Sequence, residues 1–403
     1  MDSAIEQVLR AMGPLDGAAA DGQGRPCKIC GAHSPPFDVV DFNKSADQAL
    51  YPHGVSGVTV LYYRCGSCGF MFCSLFDDWT DADFARYVYN DDYVKIDPEY
   101  TGSRAREAAR AMNGILAGCQ AARILDFGSG LGIFEAELRA LGFDHVESFD
   151  PHSSPARPRG LFDIITAFEV VEHATDPLAT FQEMKSLLKD DGIIVFGTAL
   201  QPDDILTLRA NWWYVAPRNG HVGAFTEEAL LEVARRLGMT PYGGGLFALT
   251  SPNPSAMARQ VADRVGVRFL SVTLTAPRAD PDGDDWYGLE GDQPAFRWTA
   301  SPAITWRLPP PDAPRLWMRL RIPVVNQITA DFVDGCAIDV NGETWPWRPG
   351  DGGLVAEGFV TARGGTTVVL RTPPPLSPAE LRGSHDDRRL GLAIRVDDIP
   401  GRA

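Results

Sequence analysis

The nine residues Ile124-Leu125-Asp126-Phe127-Gly128-Ser129-Gly130-Leu131-Gly132 constrain this chain more than any others. Four of the first residues are apolar or flanked by apolar neighbours, which suits a short buried strand. Three glycines at alternate positions then let the backbone turn tightly and let a ligand approach with no Cβ in the way. The pattern predicts a strand, a glycine-rich turn and a helix over Leu131–Leu141, closed by Gly142. The same alternation continues. Strands are expected at Val146–Asp150, Asp163–Phe168 and Gly192–Gly197. Helices are expected at Asp176–Lys189, with Asp176 or Thr175 as cap and Pro177 in its first turn, and at Thr226–Leu237, with Thr226 as cap and Glu227 and Glu228 behind it. Repeated strand–helix units of this length imply an α/β Rossmann-like doubly wound sheet.

A glycine-rich turn serves many nucleotide ligands, so its neighbours must choose. The spacing is G-x-G-x-G, whereas the dinucleotide fingerprint would need glycine at Ile133. Asp126, two positions before Gly128, would repel a pyrophosphate and attract an ammonium group. Asp150 stands 24 residues after Asp126 at the end of the next strand, where a carboxylate can accept both hydroxyls of a ribose. No lysine has a tyrosine four residues before it, so the Tyr-x-x-x-Lys pair of sugar-nucleotide dehydrogenases is missing. These residues resemble the class I S-adenosylmethionine-dependent methyltransferases over about residues 100–250. Asp126, Gly128, Gly130 and Gly132 match that family's first motif, and Asp150 matches its ribose-binding acid. Phe162-Asp163-Ile164-Ile165-Thr166-Ala167-Phe168-Glu169-Val170-Val171-Glu172-His173 matches its F-D-x-I-x-x-x-x-x-x-E-H segment. The resemblance implies S-adenosyl-L-methionine as cofactor, with Thr166–Glu169, Phe168 and Glu169 above all, against it.

Seven cysteines include two C-x-x-C pairs, Cys27/Cys30 and Cys65/Cys68, separated by 34 residues. Four thiolates in two knuckles make a closed tetrahedral zinc site, and Gly31 and Gly69 suit the knuckle turns. Cys73 and His33 are near enough in sequence to be alternates. Two C-x-x-C pairs ahead of a cofactor domain resemble the sugar methyltransferases that act on nucleotide-linked deoxysugars. After residue 250 the chain departs from them, because no second Rossmann-like half follows.

The catalytic candidates are polar residues expected on loops at the C-terminal edge of the sheet. Glu172 and His173 follow the Asp163–Phe168 strand, where His173 is a base or a histidine holding the loop. The segment Asn211-Trp212-Trp213-Tyr214-Val215-Ala216-Pro217-Arg218-Asn219-Gly220-His221 overhangs the expected pocket. Here His221 is the first candidate base. Tyr214, Trp213 and Arg218 are candidate acceptor contacts, since aromatic faces suit sugar rings and a guanidinium suits phosphate or carboxylate. Trp212 and Trp213 also read as core. Tyr87, Tyr89, Tyr93 and Tyr100 either cap the site or pack between modules. Arg104, Arg106 and Arg110, on a helix expected over Ser103–Gly118, read as a solvated face.

From about residue 283, Pro and Gly punctuate short apolar runs such as Leu316–Ile322, Cys336–Val340, Leu354–Val360 and Thr366–Arg371, which predicts a C-terminal β-sandwich. Trp286, Trp298, Trp306, Trp317, Trp345 and Trp347 serve as core, as an oligomer interface or as a glycan-stacking face. The Phe296-Arg297-Trp298-Thr299 and Asp387-Arg388-Arg389-Leu390-Gly391 segments resemble accessory β-domains of bacterial glycan-assembly enzymes. The expected organisation is a tail over 1–24 with a short helix at Ala4–Met12, a zinc-binding module over 25–80, a methyltransferase domain over 81–250, a linker over 251–282 and the β-domain over 283–403. A formal net charge of −16 disfavours nucleic acid and anionic membranes as partners. With no apolar run of 18 residues and no export signal, the expected location is the cytoplasm. The expected reaction is methyl transfer to a hydroxyl, or a carbon, of a sugar or glycan precursor. A non-sugar metabolite such as a polyketide or quinol, or a non-catalytic cofactor-binding scaffold, are the alternatives. A homo-oligomer through the C-terminal domain is a further expectation.

Overall fold

The computed structural model describes residues 24–46, 54–150, 157–278, 284–291, 294–309, 315–350, 352–361 and 365–396. The helix expected at Ala4–Met12 and the side chain of Tyr100 lie outside them. The chain forms two compact units, residues 1–266 and 267–403.

In the first unit, short strands β1 (Arg25–Pro26) and β2 (His33–Ser34) pair around the first cysteine knuckle. Strands β3 (Pro36–Asp41), β4 (Thr59–Arg64) and β5 (Met71–Cys73) form an antiparallel ladder. The cofactor-domain strands are β6 (Ile124–Phe127), β7 (Val146–Phe149), β8 (Phe162–Phe168) and β9 (Leu188–Gly197). They are parallel in the order β7-β6-β8-β9. All four residues of β6 are buried, as a strand covered on both faces requires. The strand after the 177–187 helix starts at Leu188, earlier than Gly192, because Leu188 pairs with Phe162 ahead of a register shift. The short β10 (Gly223–Ala224) does not join this sheet. It pairs with β5 and completes the N-terminal ladder from the far end of the cofactor domain. Strands β11 (Thr240–Gly243) and β12 (Phe247–Thr250) return antiparallel onto β9.

Helices Ile133–Ala140, Pro177–Leu187 and Glu227–Leu237 cover the sheet. Asp176 and Thr226 cap the last two by accepting from Ala179 N–H and Ala229 N–H. Gly238 follows the last helix in the left-handed region, as a C-terminal glycine should. The cysteine region and the cofactor domain share buried surface: Cys27, Ile29, Cys65 and Phe70 lie in one core with Phe127, Phe181, Phe196 and Phe225.

Residues 251–278, expected as linker with one short helix, hold that helix at Ala256–Val265 and also strand β13 (Val267–Thr273). In the second unit β13 runs parallel to the long strand β16 (Arg315–Gln327), which also pairs with β20 (Gly353–Thr361) and β22 (Leu392–Arg395), while β14 (Phe296–Trp298) pairs with β22 and β19 (Trp347–Gly350) with β20. A second ladder joins β15 (Ala303–Leu308), β21 (Thr366–Arg371), β17 (Ala337–Val340) and β18 (Glu343–Trp345). Both ladders contribute to one core containing Leu316, Leu320, Ile338, Leu370 and Ile394. Trp298 and Trp345 belong to that core, and Trp306 gives its indole N–H to Thr275 O at 3.0 Å. Arg297 is almost fully buried, its guanidinium donating to the carbonyls of Pro277, Tyr287 and Arg278. This sheet-rich unit therefore uses much of its aromatic content internally.

Candidate active site and metal centre

The glycine turn is built for close approach. Gly128, Gly130 and Gly132 all have positive φ, at 75°, 50° and 70°, where a side chain is strained. A Cβ on Gly128 would meet Val170 Cγ2 at 2.4 Å, whereas one on Gly130 meets nothing within 4 Å. Gly130 N–H donates to Asp150 Oδ2 at 2.8 Å, tying the turn to the end of β7. Asp126 is 4 % exposed, and its Oδ2 is buried with no hydrogen-bond partner. Burial first, then the charges of Glu135 and Asp150, push its carboxyl up to about 7, against a smaller opposing effect of the Thr166 hydroxyl. A buried carboxylate with one orphaned oxygen beside an open glycine cradle fits the cationic methionine end of S-adenosylmethionine. Asp150 follows β7 directly, beside the glycine turn.

At the carboxyl end of β8 the chain passes through Glu169, whose φ of 55° is sparsely populated for a residue with a side chain. Arg104 reaches Glu169 at 3.1 Å, Asp97 at 3.0 Å and Glu99 at 3.3 Å, so it is no solvated-face arginine. Arg106 pairs with Glu137 at 3.3 Å. Burial, followed by the charge of Glu172, pushes Glu169 up to about 7, against the pull of Arg104.

Glu172 is fully buried. Its Oε1 accepts from Tyr214 Oη–H at 2.6 Å, while Oε2 has no hydrogen-bond partner. Burial pushes its carboxyl up, opposed by the Tyr214 hydrogen bond, and burial likewise pushes the Tyr214 phenol up. The Glu172 carbonyl accepts from Val222 and Gly223 N–H at 2.9 and 3.0 Å, which pins the end of the 211–221 loop over β8. His221 Nδ1 lies 2.9 Å from Tyr214 O, and His173 Nδ1 lies 3.0 Å from Gly220 O and 3.1 Å from Tyr89 Oη. A carbonyl only accepts, so both Nδ1 atoms carry the proton and Nε2 keeps the lone pair. The two rings meet edge to face at 4.9 Å. Burial, then the neighbouring His173, lowers His221 to about 3, so it is a neutral imidazole.

The structure thus brings His221, His173, Glu172, Tyr214 and Glu169 together. Trp213 lies beside them at 56 % exposure, edge-on to Tyr214 at 5.1 Å. Trp212 is core. Arg218 departs from its expected role: it is 4 % exposed and donates to Val88 O at 3.0 Å, so its guanidinium stitches the loop to the Asp81–Tyr87 helix region. Tyr89 touches His173, and Tyr93 donates to Asn219 O at 3.1 Å, so these tyrosines pack against the loop as well as line it.

Several contacts that hold this loop and the segment after it carry no local sequence signal. Lys44 Nζ donates to Trp212 O at 3.0 Å and also to Val215 O, and burial lowers its pKa to about 8. Tyr62 Oη–H donates to His221 O at 2.8 Å. Gln201 Nε2 bridges Gly69 O and Ala224 O, each at 2.9 Å. Thr226 donates to Cys68 O at 2.5 Å while capping its own helix.

The four predicted cysteines converge, with Cys27 Sγ 3.6 Å from Cys68 Sγ and Cys30 Sγ 3.4 Å from Cys65 Sγ. Thiolates at about 2.3 Å from a tetrahedral zinc are about 3.8 Å apart, close to this spacing. Backbone N–H groups of Ile29, Ser67 and Cys68 point at the sulfurs, at 3.3–3.4 Å. Hydrogen bonding between the two thiols pushes Cys27 up to about 12 and holds Cys65 far down. The donor set fits zinc. Cys73, one of the alternates, is buried elsewhere beside Tyr62 and Lys28, and exposed His33 is outside the cluster.

A strand-turn-helix with an acidic residue before three glycines, an acid at the end of β7 and an E-H pair just after β8 mark a class I methyltransferase domain that uses S-adenosylmethionine. Residues 100–242 match the family model described as "Methyltransferase domain". Among curated relatives, a ubiquinone biosynthesis O-methyltransferase of Actinobacillus pleuropneumoniae serotype 5b is 51 % identical over 67 residues, 16 % of this chain and 28 % of the relative. One from Cereibacter sphaeroides is 27 % identical over 188 residues, 38 % of this chain and 74 % of the relative. The chain spans less than a third of the length of the first curated relatives it matches. Among solved structures, the N-methyltransferase NodS from Bradyrhizobium japonicum, in complex with S-adenosyl-l-homocysteine, is 20 % identical with a TM-score of 0.28, over 43 % of this chain and all of that one. Among the described residues no helix is long and apolar enough to cross a membrane.

Proposed function

We propose that this protein transfers the methyl group of S-adenosylmethionine to a hydroxyl oxygen of a small, uncharged, hydroxylated ring. The observation that carries this reading is the convergence of Glu169, Glu172, His173 and His221 at the strand end directly after the cofactor motif, under a loop that overhangs it. Asp126 and the glycine turn would hold the methionine end, Asp150 the ribose, and Phe168 and Glu169 the near side. The bound cofactor supplies an electrophilic methyl on a sulfonium.

The chain's own contribution is to position the acceptor and to receive its proton. His221 gives its Nδ1–H to a carbonyl and so offers Nε2 as the acceptor for that proton. Tyr214 and Glu172 keep the loop that carries His221 in register. His173 is held the same way by Gly220 and Tyr89, which makes it the second candidate. The carboxylates disfavour a diphosphate-bearing acceptor, and Arg218 is buried with its guanidinium donating to Val88 O. The names of the curated relatives support an oxygen acceptor.

A sugar is the second reading, favoured by the exposed face of Trp213 and by the paired C-x-x-C module ahead of the cofactor domain. In that reading a zinc ion held by Cys27, Cys30, Cys65 and Cys68 is structural, since four thiolates leave no open position. The test is transfer of labelled methyl to parallel panels of neutral sugars, glycan fragments, phenols and quinols. Transfer to any hydroxyl panel, lost in His221→Ala with S-adenosylhomocysteine binding intact, supports the assignment. Cofactor binding with no transfer to any panel would overturn it.

A further inference from the structure

Lys28 stands inside the first cysteine knuckle, between Cys27 and Cys30, yet its side chain reaches out of it. An ammonium group has three N–H donors and no acceptor, so burying it calls for three oxygens. The Lys28 side chain is 14 % exposed, and it finds them in different segments. Its Nζ donates to Cys73 O at 3.2 Å, to Thr175 O at 2.9 Å and to the Asp77 carboxylate. Thr175 is the distant partner, 147 residues further on, in the loop that carries Glu172 and His173. That loop leaves β8 through Glu169 at positive φ and closes a turn with His173 N–H on Val170 O at 3.0 Å. It ends at Asp176, the cap of the Pro177–Leu187 helix. The Thr175 carbonyl lies between His173 and that cap, so holding it limits how far the turn can swing. The knuckle end is equally defined: Gly31 N–H donates to Cys27 O at 2.9 Å, and Ile29 N–H lies 3.4 Å from Cys27 Sγ. In such a knuckle metal binding and folding are one event, so the direction in which residue 28 points depends on the ion.

We propose that Lys28 is a positioning residue that ties the cysteine-bound metal to the Glu172–His173 loop, so that metal occupancy sets how well ordered that loop is. The proposal rests on the reading above, in which the four cysteines hold zinc and the strand-end loop serves the acceptor. Lys28 acts at one remove, through the Thr175 carbonyl, and Asp77 keeps its charge in place. The second knuckle has ties of its own: Thr226 donates to Cys68 O and Gln201 to Gly69 O. Cutting the Lys28 tie should therefore loosen residues 170–176 and leave the Glu227–Leu237 helix as it was.

Hydrogen exchange read by mass spectrometry on the full chain tests this with no turnover involved, after elemental analysis has measured zinc in the unaltered protein. Lys28→Met keeps the apolar stem and drops all three donors, whereas Lys28→Arg keeps a charged donor of similar reach. Amides of residues 170–176 should exchange about tenfold faster in Lys28→Met and near the original rate in Lys28→Arg. Zinc content, S-adenosylhomocysteine affinity and exchange in the Glu227–Leu237 helix should stay as in the unaltered protein. Stripping zinc with a chelator should speed the 170–176 amides of the unaltered protein, and the gain should be smaller in Lys28→Met, because a tie already cut cannot be cut again. Unchanged exchange at 170–176 in Lys28→Met, or an equal gain on stripping zinc in both proteins, would overturn the proposal. Loss of zinc or of S-adenosylhomocysteine binding in Lys28→Met would also overturn it, by assigning the residue to the fold of the knuckle alone. Absence of zinc from the unaltered protein would sink the metal reading and the proposal with it, whereas failure to find a methyl acceptor would leave every one of these measurements standing.

Discussion

Asp126→Asn should make the cofactor-free protein more stable and the cofactor-binding protein nearly useless. The Asp126 carboxyl is 4 % exposed, has one oxygen without a hydrogen-bond partner, and is pushed up to about 7, mainly by burial. A carboxyl near 3.8 in the unfolded chain and about 7 in the folded one loses stability as pH rises through that interval. At pH 8 the full penalty applies, at most roughly 4 kcal/mol at 1.36 kcal/mol per pKa unit. The amide has no charge to desolvate and keeps a carbonyl for the Thr166 hydroxyl, so part of that penalty should return as a Tm raised by about 4–10 °C at pH 8 and little changed at pH 5. Cofactor affinity should move the other way. A carboxyl at 7 is about 9 % ionised at pH 6 and about 76 % at pH 7.5, so S-adenosylhomocysteine affinity should rise about eightfold over that range. In Asp126→Asn the rise should vanish and affinity should fall by one to two orders of magnitude. Differential scanning fluorimetry at pH 5 and 8 and calorimetric titration at pH 6 and 7.5 suffice. A variant less stable than the parent at pH 8, or one that keeps both affinity and pH dependence, would refute the reasoning.

Other changes test other parts of the structure. Tyr214→Phe removes the 2.6 Å hydrogen bond to buried Glu172 and should cost about 2–3 kcal/mol, read as a lower denaturant midpoint with unchanged slope. Gly128→Ala combines φ 75° with a Cβ 2.4 Å from Val170 and should abolish measurable S-adenosylhomocysteine binding in calorimetry. Cys65→Ser should leave the protein without stoichiometric zinc by elemental analysis. It should also open the 211–221 loop to protease, because Thr226 and Gln201 tie that region to the knuckle at Cys68 and Gly69.

What the sequence disclosed was local. The Asp126-to-Gly132 turn, Asp150, the caps Asp176 and Thr226 and the four cysteines each announce themselves within a few residues, because the backbone there needs a particular residue type. The acceptor loop was legible as a location, not as a set of contacts. Arg218 read as an anion contact because arginine in a loop over a pocket usually faces outward, and only the three-dimensional packing shows Val88 O as its partner. Arg104 read as solvated because its acidic partners come from two segments, Asp97 and Glu99 just before its helix and Glu169 from 65 residues further on. Lys44 and Tyr62 act on the loop from 159 to 171 residues away, a distance at which no periodicity or motif carries information. The strand Val267–Thr273 was missed because its partner, Arg315–Gln327, follows it after many intervening residues.

The pairing of β10 with β5 has a consequence for synthesis. The ribosome releases Cys27 through Cys73 long before it makes Gly223 and Ala224, so the N-terminal ladder waits for its last strand while about 150 further residues emerge. Until then β5 is an open edge beside a buried-type surface of Phe70, Met71 and Phe72. Zinc can close the cysteine knuckles early, but the edge stays unprotected. A gene cut at residue 80 to isolate the cysteine region would freeze the chain in that unfinished state, and an expression host would find it aggregating.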